Sequence, residues 1–89
     1  MISREIKIIN KLGLHARAAA KFVTMASQYS SNVHLVHKGQ QVNGKSIMGV
    51  MMLAASQGTE LTLTTDGEDE LGAMEALDEL IRNRFGEEE

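Results

Sequence analysis

The chain has 89 residues, of which 43% are hydrophobic and 24% are charged, and it contains no cysteine. This length predicts one small domain spanning residues 1–89 and excludes a large catalytic cleft between domains. Without cysteine there is neither a disulfide framework nor a thiolate metal site, and no apolar run is typical of a signal peptide or a membrane span. We therefore expect a cytoplasmic monomer with no membrane insertion.

The net charge of −3 is distributed unevenly along the chain. Residues 1–65 contain seven basic residues against two acidic ones, whereas residues 66–89 contain ten acidic residues against two basic ones. The basic part suits a phosphate or an acidic protein surface. Nucleic acid is not an expected partner, because the three aromatic residues of the chain are too few for a base-stacking platform.

Hydrophobic periodicity predicts four short strands and three helices in the order β-α-β-β-α-β-α. Strands are indicated by alternating apolar and polar residues, and helices by apolar residues three and four apart. The clearest strand places Leu61 and Leu63 on one face and threonines on the other, so the helices should cover only one face of the sheet. The predicted bounds, in chain order, are 2–9, 16–28, 33–37, 41–43, 46–58, 59–65 and 70–85.

The stretch between the first strand and the first helix places His15 at a helix start. The first N–H groups of a helix have no partner inside it and carry the positive end of its dipole. A phosphate on the imidazole would meet the backbone N–H groups of Ala16 and Arg17, with the Arg17 guanidinium beside them. The same positive end favours neutral imidazole, which is a nucleophile. The alternative is a helix-capping histidine beside a solvated arginine.

The two other histidines, His34 and His37, lie three residues apart on the second predicted strand. Side chains at this spacing point to opposite faces of a sheet, which argues against a shared metal ion. We interpret both as surface or edge residues and predict no metal site.

Residues 39–46 match the P-loop pattern G-x-x-x-x-G-K-[ST] between a strand and a helix. A P-loop enzyme needs a parallel sheet and further nucleotide- and magnesium-binding elements, and only one strand and one helix follow this segment. We therefore interpret the match as accidental.

Ser46 is expected to cap the second helix, although Gly49 weakens that helix. The following run is rich in methionine and has more apolar residues than one buried face of a short helix needs. We expect its exposed members to form a docking patch of Ile47, Met48 and Met51 with a basic rim of Arg17, Lys21 and Lys45. The alternative is a core face filled by methionine.

The third helix is expected to begin after Asp69, whose side chain can cap it. The acidic residues 86–89 are expected to form a solvated tail. The apolar stripe of this helix consists of Leu71, Met74, Leu77, Leu80 and Ile81.

The chain resembles the HPr family, the histidine-containing phosphocarrier proteins of the bacterial phosphoenolpyruvate-dependent phosphotransferase system. The resemblance covers essentially the whole chain, and its most specific part is two motifs about thirty residues apart. The motifs are Gly13-Leu-His-Ala-Arg17 and Gly44-Lys-Ser-Ile-Met-Gly-Val-Met51, with further similarity at Gly58-Thr-Glu-Leu-Thr62 and Asp66-Gly-Glu-Asp-Glu70.

The resemblance implies an α+β open-faced β-sandwich, with a four-stranded antiparallel sheet covered on one face by three helices. It implies a carrier with a phosphohistidine intermediate, needing no cofactor, rather than a stand-alone enzyme. His15 would take a phosphoryl group on Nδ1 from phosphorylated enzyme I and pass it to the A domain of an enzyme II sugar permease. Arg17 would neutralise the phosphate, and Ser46 would be the target of an HPr kinase/phosphorylase in some bacteria.

One residue departs from the family pattern, because the family usually has proline where this chain has Ala18. Alanine keeps the helix but loosens its first turn and restores an N–H donor.

The alternative function is a regulatory, nitrogen-type phosphotransfer module that docks in one phosphorylation state. The presence of His15 is compatible with both functions and does not distinguish them.

Overall fold

The computed structural model describes residues 1–89, which form one four-stranded antiparallel sheet with helices packed on one face. The strands are β1 (Ile2–Lys7), β2 (Asn32–His37), β3 (Gln40–Asn43) and β4 (Glu60–Asp66), in the spatial order β1-β4-β2-β3. The helices are α1 (Ala16–Ala26), α2 (Ile47–Met52) and α3 (Glu70–Arg82), followed by a short turn at Arg84–Gly86. The predicted element order and fold class are therefore confirmed.

Alternation along the strands decides which face of the sheet is covered. Ile6 pairs with Leu61 in the β1–β4 register, and Leu35 pairs with Leu63 in the β2–β4 register, so these buried side chains form one face. The opposite face carries partly exposed polar side chains, among them the neighbouring residues His34 and Thr64. The covered face packs against buried helix residues, which are Ala19, Phe22 and Ala26 of α1 and Met74, Leu77 and Ile81 of α3.

All three helices end earlier than the periodicity predicts, and α3 ends at Arg82 instead of continuing to residue 85. Helix α2 stops at Met52 instead of continuing toward Gly58, because Ala54 has a positive φ of 50° and the chain then turns into β4. Helix α1 ends at Ala26, where the N–H of Ser27 donates to the carbonyl oxygen of Val23. None of the helices is long and apolar enough to cross a membrane.

The start of α3 differs from the sequence prediction in two side chains. Asp69 occupies the N-cap position but makes no capping hydrogen bond; its carboxylate instead accepts the backbone N–H groups of Ser30 and Ser31 and the Ser31 hydroxyl. These bonds fasten the loop before β2 to the start of α3. Leu71, predicted as part of the buried stripe, is exposed because it lies on the solvent side of the first turn.

The segment that matches the P-loop pattern does not form one. Residues 39–46 make the β2–β3 turn, strand β3 and the turn before α2, and β3 pairs antiparallel to β2. In a P-loop the same residues form one continuous phosphate-binding loop between a strand and a helix. The structure also has no group of three or more histidine, cysteine, aspartate or glutamate side chains placed to hold a metal ion.

Candidate functional site around His15

The loop between β1 and α1 is held from both sides, and this fixes where α1 begins. Within the loop, the N–H of Gly13 donates to the carbonyl oxygen of Asn10 at 3.2 Å, and the Asn10 amide donates to the carbonyl oxygen of Gly13 at 2.8 Å. From outside, the carbonyl oxygen of Ala55 accepts the N–H of Leu14 at 2.8 Å, and the Leu14 side chain is buried. His15 therefore follows a rigid turn.

His15 is the N-cap residue of α1, and both of its ring nitrogens have partners. Its backbone is extended, with φ −72° and ψ 176°, and its Nδ1 accepts the N–H of Arg17 at 3.3 Å. Its Nε2 forms a hydrogen bond with the carboxylate of Glu87. Because Nδ1 accepts a hydrogen bond and Nε2 faces an acceptor, the neutral ring carries its proton on Nε2. The Nδ1 lone pair is thus the nucleophile that this site offers.

The first turn of α1 has three N–H groups that make no hydrogen bond to a backbone carbonyl, those of Ala16, Arg17 and Ala18. The N–H of Ala19 is the first to bond within the helix, to the carbonyl oxygen of His15 at 2.8 Å. The N–H groups of Ala16 and Ala18 donate to no backbone carbonyl, and that of Arg17 donates to Nδ1. Ala18 is fully buried, so the donors that the first turn can offer to a phosphate are the N–H groups of Ala16 and Arg17, and alanine in place of proline adds none.

The Arg17 guanidinium makes no ion pair and no hydrogen bond with another side chain, and the residue is exposed. It lines an open groove of about 860 Å³ beside His15. A free cation at an open groove suits an incoming anion better than a structural role. The groove is lined by Lys11, Leu12, His15, Ala16, Arg17, Glu87, Glu88 and Glu89.

The prediction that residues 86–89 form a solvated tail is wrong for Glu87. Phe85, at 1% exposure, anchors the chain in the core, and the Lys21 ammonium donates to its carbonyl oxygen at 2.6 Å. The Glu87 carboxylate then reaches His15 with one oxygen and accepts a hydrogen bond from the Asn10 amide at 3.0 Å with the other. The sequence signal for this return of the chain is the aromatic residue Phe85, because a large apolar side chain between two polar segments tends to be buried.

Burial alone would raise the pKa of the Glu87 carboxyl. The hydrogen bonds from Asn10 and His15, together with the nearby charges of His15 and Lys21, outweigh burial and hold this pKa below its usual value of 4.5. Glu87 is therefore an anion at neutral pH, placed directly against the imidazole.

The predicted docking residues lie on α2 and at its start, and they do not line the His15 groove. Val50 and Leu53 are buried, whereas Ile47, Met48 and Met51 are exposed, so the run divides into a core face and a free face. Met52 and Leu12, which the sequence reasoning left out, are also exposed apolar side chains. An exposed apolar surface of this kind is typical of a protein-docking site.

Ser46 caps α2, and its hydroxyl accepts the N–H of Gly49 at 3.1 Å. The two lysines of the predicted rim are tethered, since the Lys45 ammonium donates to the carbonyl oxygen of Tyr29 at 2.7 Å and the Lys21 ammonium to that of Phe85. Arg17 is the member of the rim whose charged group is free of such a bond.

Known proteins resemble this chain over essentially its whole length. The chain matches the family model described as "PTS HPr component phosphorylation site" over residues 2–83. It is 58% identical to phosphocarrier protein HPr of Xylella fastidiosa over 99% of both chains. It is 59% identical to phosphocarrier protein HPr of Pseudomonas aeruginosa over the full length of both.

Solved structures agree with these sequence relatives. The crystal structure of HPr-C-His from Thermoanaerobacter tengcongensis superimposes with a TM-score of 0.96 at 48% identity, covering the whole of both chains. That of a phosphocarrier protein HPr from Bacillus anthracis gives a TM-score of 0.86 at 39% identity, covering 90% of this chain and 95% of that one. The open sheet with three helices is thus the fold of a phosphocarrier. The chain belongs to the HPr family of the phosphotransferase system.

Proposed function

We propose that His15 accepts a phosphoryl group on Nδ1 from phosphorylated enzyme I and passes it to the A domain of an enzyme II sugar permease. The protein would do so as a cytoplasmic monomer and without a cofactor. The observation that carries the proposal is the pair of contacts on the imidazole, where Nδ1 accepts a long hydrogen bond from Arg17 and Nε2 is held by Glu87. The unprotonated nitrogen is the one that faces the helix N-terminus.

The transfer itself needs few groups. The Nδ1 lone pair attacks phosphorus, the bond from phosphorus to the donor breaks, and its electron pair stays with the donor. The phosphoryl oxygens replace Nδ1 as acceptor of the Arg17 N–H, and they gain the free N–H group of Ala16. The Arg17 guanidinium offsets the negative charge from the open side. Transfer to the next protein is the reverse reaction with a different partner.

The partners would dock on the exposed face of α2. We define the docking patch as Ile47, Met48 and Met51, with the Arg17 guanidinium on its rim, and Lys21 and Lys45 as further positive charges. Apolar methionines adapt to differently shaped surfaces, which suits a carrier that meets a donor and an acceptor in turn. Ser46 would be a regulatory phosphorylation site for a kinase, because its phosphate would stand at the edge of this patch.

The experiment is incubation of the pure protein with phosphoenolpyruvate and purified enzyme I, followed by intact mass and acid lability of the added group. We expect one acid-labile phosphate on the wild type and none on His15→Ala. The matched control is His34→Ala, which should be labelled like the wild type because His34 has no helix terminus beside it. Acid-labile phosphate on His15→Ala would overturn the assignment.

A regulatory, nitrogen-type role would use the same His15 chemistry and differ only in the receiver. Presenting the labelled protein separately to a sugar-type and a nitrogen-type A domain distinguishes the two. The sugar-carrier proposal expects faster loss of the label to the sugar-type domain, and faster loss to the other domain would replace it with the regulatory role.

A further inference from the structure

The Asn10 side chain is fully buried, and one of its two polar atoms has no hydrogen-bond partner. Its amide nitrogen donates to the carbonyl oxygen of Gly13 at 2.8 Å and to the carboxylate of Glu87 at 3.0 Å. Its side-chain oxygen is buried without any hydrogen-bond partner. A buried acceptor without a donor lowers the stability of a fold, so such a group calls for an explanation other than stability. Both donors of Asn10 point at segments that contact His15.

The backbone that brings Glu87 to the site is also unfavourable locally. Arg84 and Phe85 both have a positive φ of 54°, a conformation that non-glycine residues rarely adopt. The two residues reverse the chain after α3, and the buried Phe85 ring with the Lys21 hydrogen bond holds the reversal in place. Because of this reversal, residues 87–89 run back along the His15 groove instead of into solvent.

We infer that Glu87 is a positioning residue for phosphoryl transfer, aimed by Asn10 and acting through the Nε2–H of His15. The inference deepens the proposed function and rests on it for its kinetic part. One carboxylate oxygen is fixed by the Asn10 amide, which leaves the other directed at Nε2. The two contacts together determine the rotation of the imidazole as well as the place of its proton.

This arrangement balances charge during transfer without moving a proton. The ring starts neutral, with its proton on Nε2 and its lone pair on Nδ1. When the Nδ1–P bond forms, the ring becomes a phosphoimidazolium, and the Glu87 carboxylate lies against its positive charge. When phosphorus departs, the electron pair of the N–P bond returns to Nδ1 and the ring is neutral again. The Nε2 proton stays in place throughout, so Glu87 stabilises the charged ring in both directions of transfer.

The neighbouring glutamates provide an internal control. Glu88 lines the same groove but makes no hydrogen bond or ion pair, and Glu89 pairs with Lys11 at 3.4 Å. The Glu87 side chain is only 18% exposed, whereas Glu88 and Glu89 are exposed. Glu88→Gln therefore removes one negative charge from the groove at a position that does not contact His15. Glu87→Gln removes one negative charge at the position that does contact the imidazole.

The first measurement tests the position of the proton and does not depend on phosphorylation. In ¹⁵N-labelled protein at alkaline pH, where imidazole is neutral, we expect the His15 proton on Nε2 and a slowly exchanging Nε2–H signal. Glu87→Ala should lose the slow exchange while remaining folded, and Glu88→Gln should keep it. A proton on Nδ1 in the wild type, or unchanged exchange in Glu87→Ala, would overturn the inference.

The second measurement is the rate of phosphoryl transfer from enzyme I. We expect Glu87→Gln to be slower by about 10-fold or more, the usual effect of removing a group that orients a reactive histidine, and Glu88→Gln to match the wild type. Equal slowing in both variants would mean that groove charge, not contact with Nε2, is responsible, and would reject the inference. A wild type that accepts no phosphate would refute the proposed function instead, and the proton position would then still decide whether Glu87 orients His15.

Discussion

The main chain of Gly13 lies against the carbonyl group of Ala55, close enough that a Cβ at position 13 would stand 2.4 Å from that oxygen. Gly13 also has a positive φ of 69°. Gly13→Ala must therefore pull the loop away from Ala55, and we expect it to lower the free energy of unfolding by about 2 kcal/mol or more. Urea unfolding measures this effect, and phosphoryl transfer should fall with it because His15 follows two residues later.

The matched control for this substitution is Gly39→Ala. Gly39 has a similar positive φ of 82°, but a Cβ there would meet no atom within 4 Å. Gly39→Ala should therefore lower the free energy of unfolding only by the cost of the backbone conformation, which is clearly less than the effect of Gly13→Ala. It should leave phosphoryl transfer unchanged. Equal losses of stability at the two positions would show that the contact with Ala55 does not matter.

Arg17 should support phosphoryl transfer and not folding. Its guanidinium has no partner in the structure, and the positive end of α1 slightly opposes its charge. We expect Arg17→Ala to slow transfer by about 100-fold without lowering the melting temperature. Arg4→Ala should do the opposite, because Arg4 donates to the buried carboxylate of Asp78 at 2.7 Å far from the groove. A stability loss with normal transfer in Arg17→Ala would make this residue structural.

The docking patch predicts a binding defect that leaves the fold intact. Met48 is 76% exposed, so Met48→Glu should keep the melting temperature while weakening binding to enzyme I and to the acceptor domain together, by about 10-fold or more. Leu71→Glu, at 61% exposure on α3, is the control and should bind both normally. Titration calorimetry with each partner measures this. Unfolding of Met48→Glu, or equal weakening by both variants, would place the docking surface elsewhere.

Ser46 combines a structural role with a proposed regulatory one. Ser46→Ala removes the hydroxyl that accepts the Gly49 N–H and should cost about 0.5–2 kcal/mol. Ser46→Asp keeps an acceptor and adds a negative charge at the start of α2, so it should melt no lower than the wild type.

The same charge beside the docking patch should slow acceptance of phosphate from enzyme I, because we expect the enzyme I surface to be acidic. The defect should shrink as salt concentration rises, since screening weakens repulsion. Transfer kinetics at low and high salt measure it. Wild-type kinetics of Ser46→Asp at low salt would leave Ser46 with its capping role alone.

Acid stability should depend on Asp69. The hydrogen bonds from the Ser31 side chain and the Ser30 backbone lower its pKa from 3.8 to about 2, more than burial raises it. A carboxyl whose pKa is lower in the folded state contributes stability that is complete above the unfolded value and is lost as pH falls. The loss should therefore occur between pH 3.8 and about 2.

Asp69→Asn should be less stable than the wild type near neutral pH and should lose less stability across that acid window. Urea unfolding at neutral pH and at both ends of the window gives the comparison. Glu68→Gln is the control, because Glu68 is exposed and makes no hydrogen bond or ion pair. An Asp69→Asn curve parallel to the wild type would mean that the Ser30–Ser31 contacts do not depend on the charge.

Sequence reasoning succeeded where the physics is local. The alternation in β4 and the apolar stripe of α1 each arise because one face of a single element packs against the core. The cap at Ser46 is equally local, because a serine directly before a helix can accept a hydrogen bond from the first turn of that helix. The Met-rich run was ambiguous, because periodicity in so short a helix does not show which side the core lies on. The structure decides this by burying Val50 and exposing Met48.

Most of the contacts that the sequence did not predict join distant parts of the chain. Glu87 lies 72 residues after His15, and nothing in a run of three glutamates separates the one that returns to the core side from the two that do not. Asn10 follows the first predicted strand, where no pattern in the sequence indicates burial, yet it is buried and bridges both ends of the site. Asp69 was interpreted as a local cap, and the loop of Ser30 and Ser31 competes successfully for the same carboxylate.

The strand order β1-β4-β2-β3 has a consequence for how the chain folds during synthesis. Strand β4 lies between β1 and β2, so β1 has no hydrogen-bonded neighbour until residues 60–66 are available. Such distant pairings raise the contact order and slow folding. His15 is synthesised early, but its loop can be anchored only after Ala55 is available, and its ring can be held only after Glu87 is available. A nascent chain that has exposed only its first sixty residues would thus have its histidine accessible yet unoriented, and the reactive geometry would form only after Glu87 has emerged.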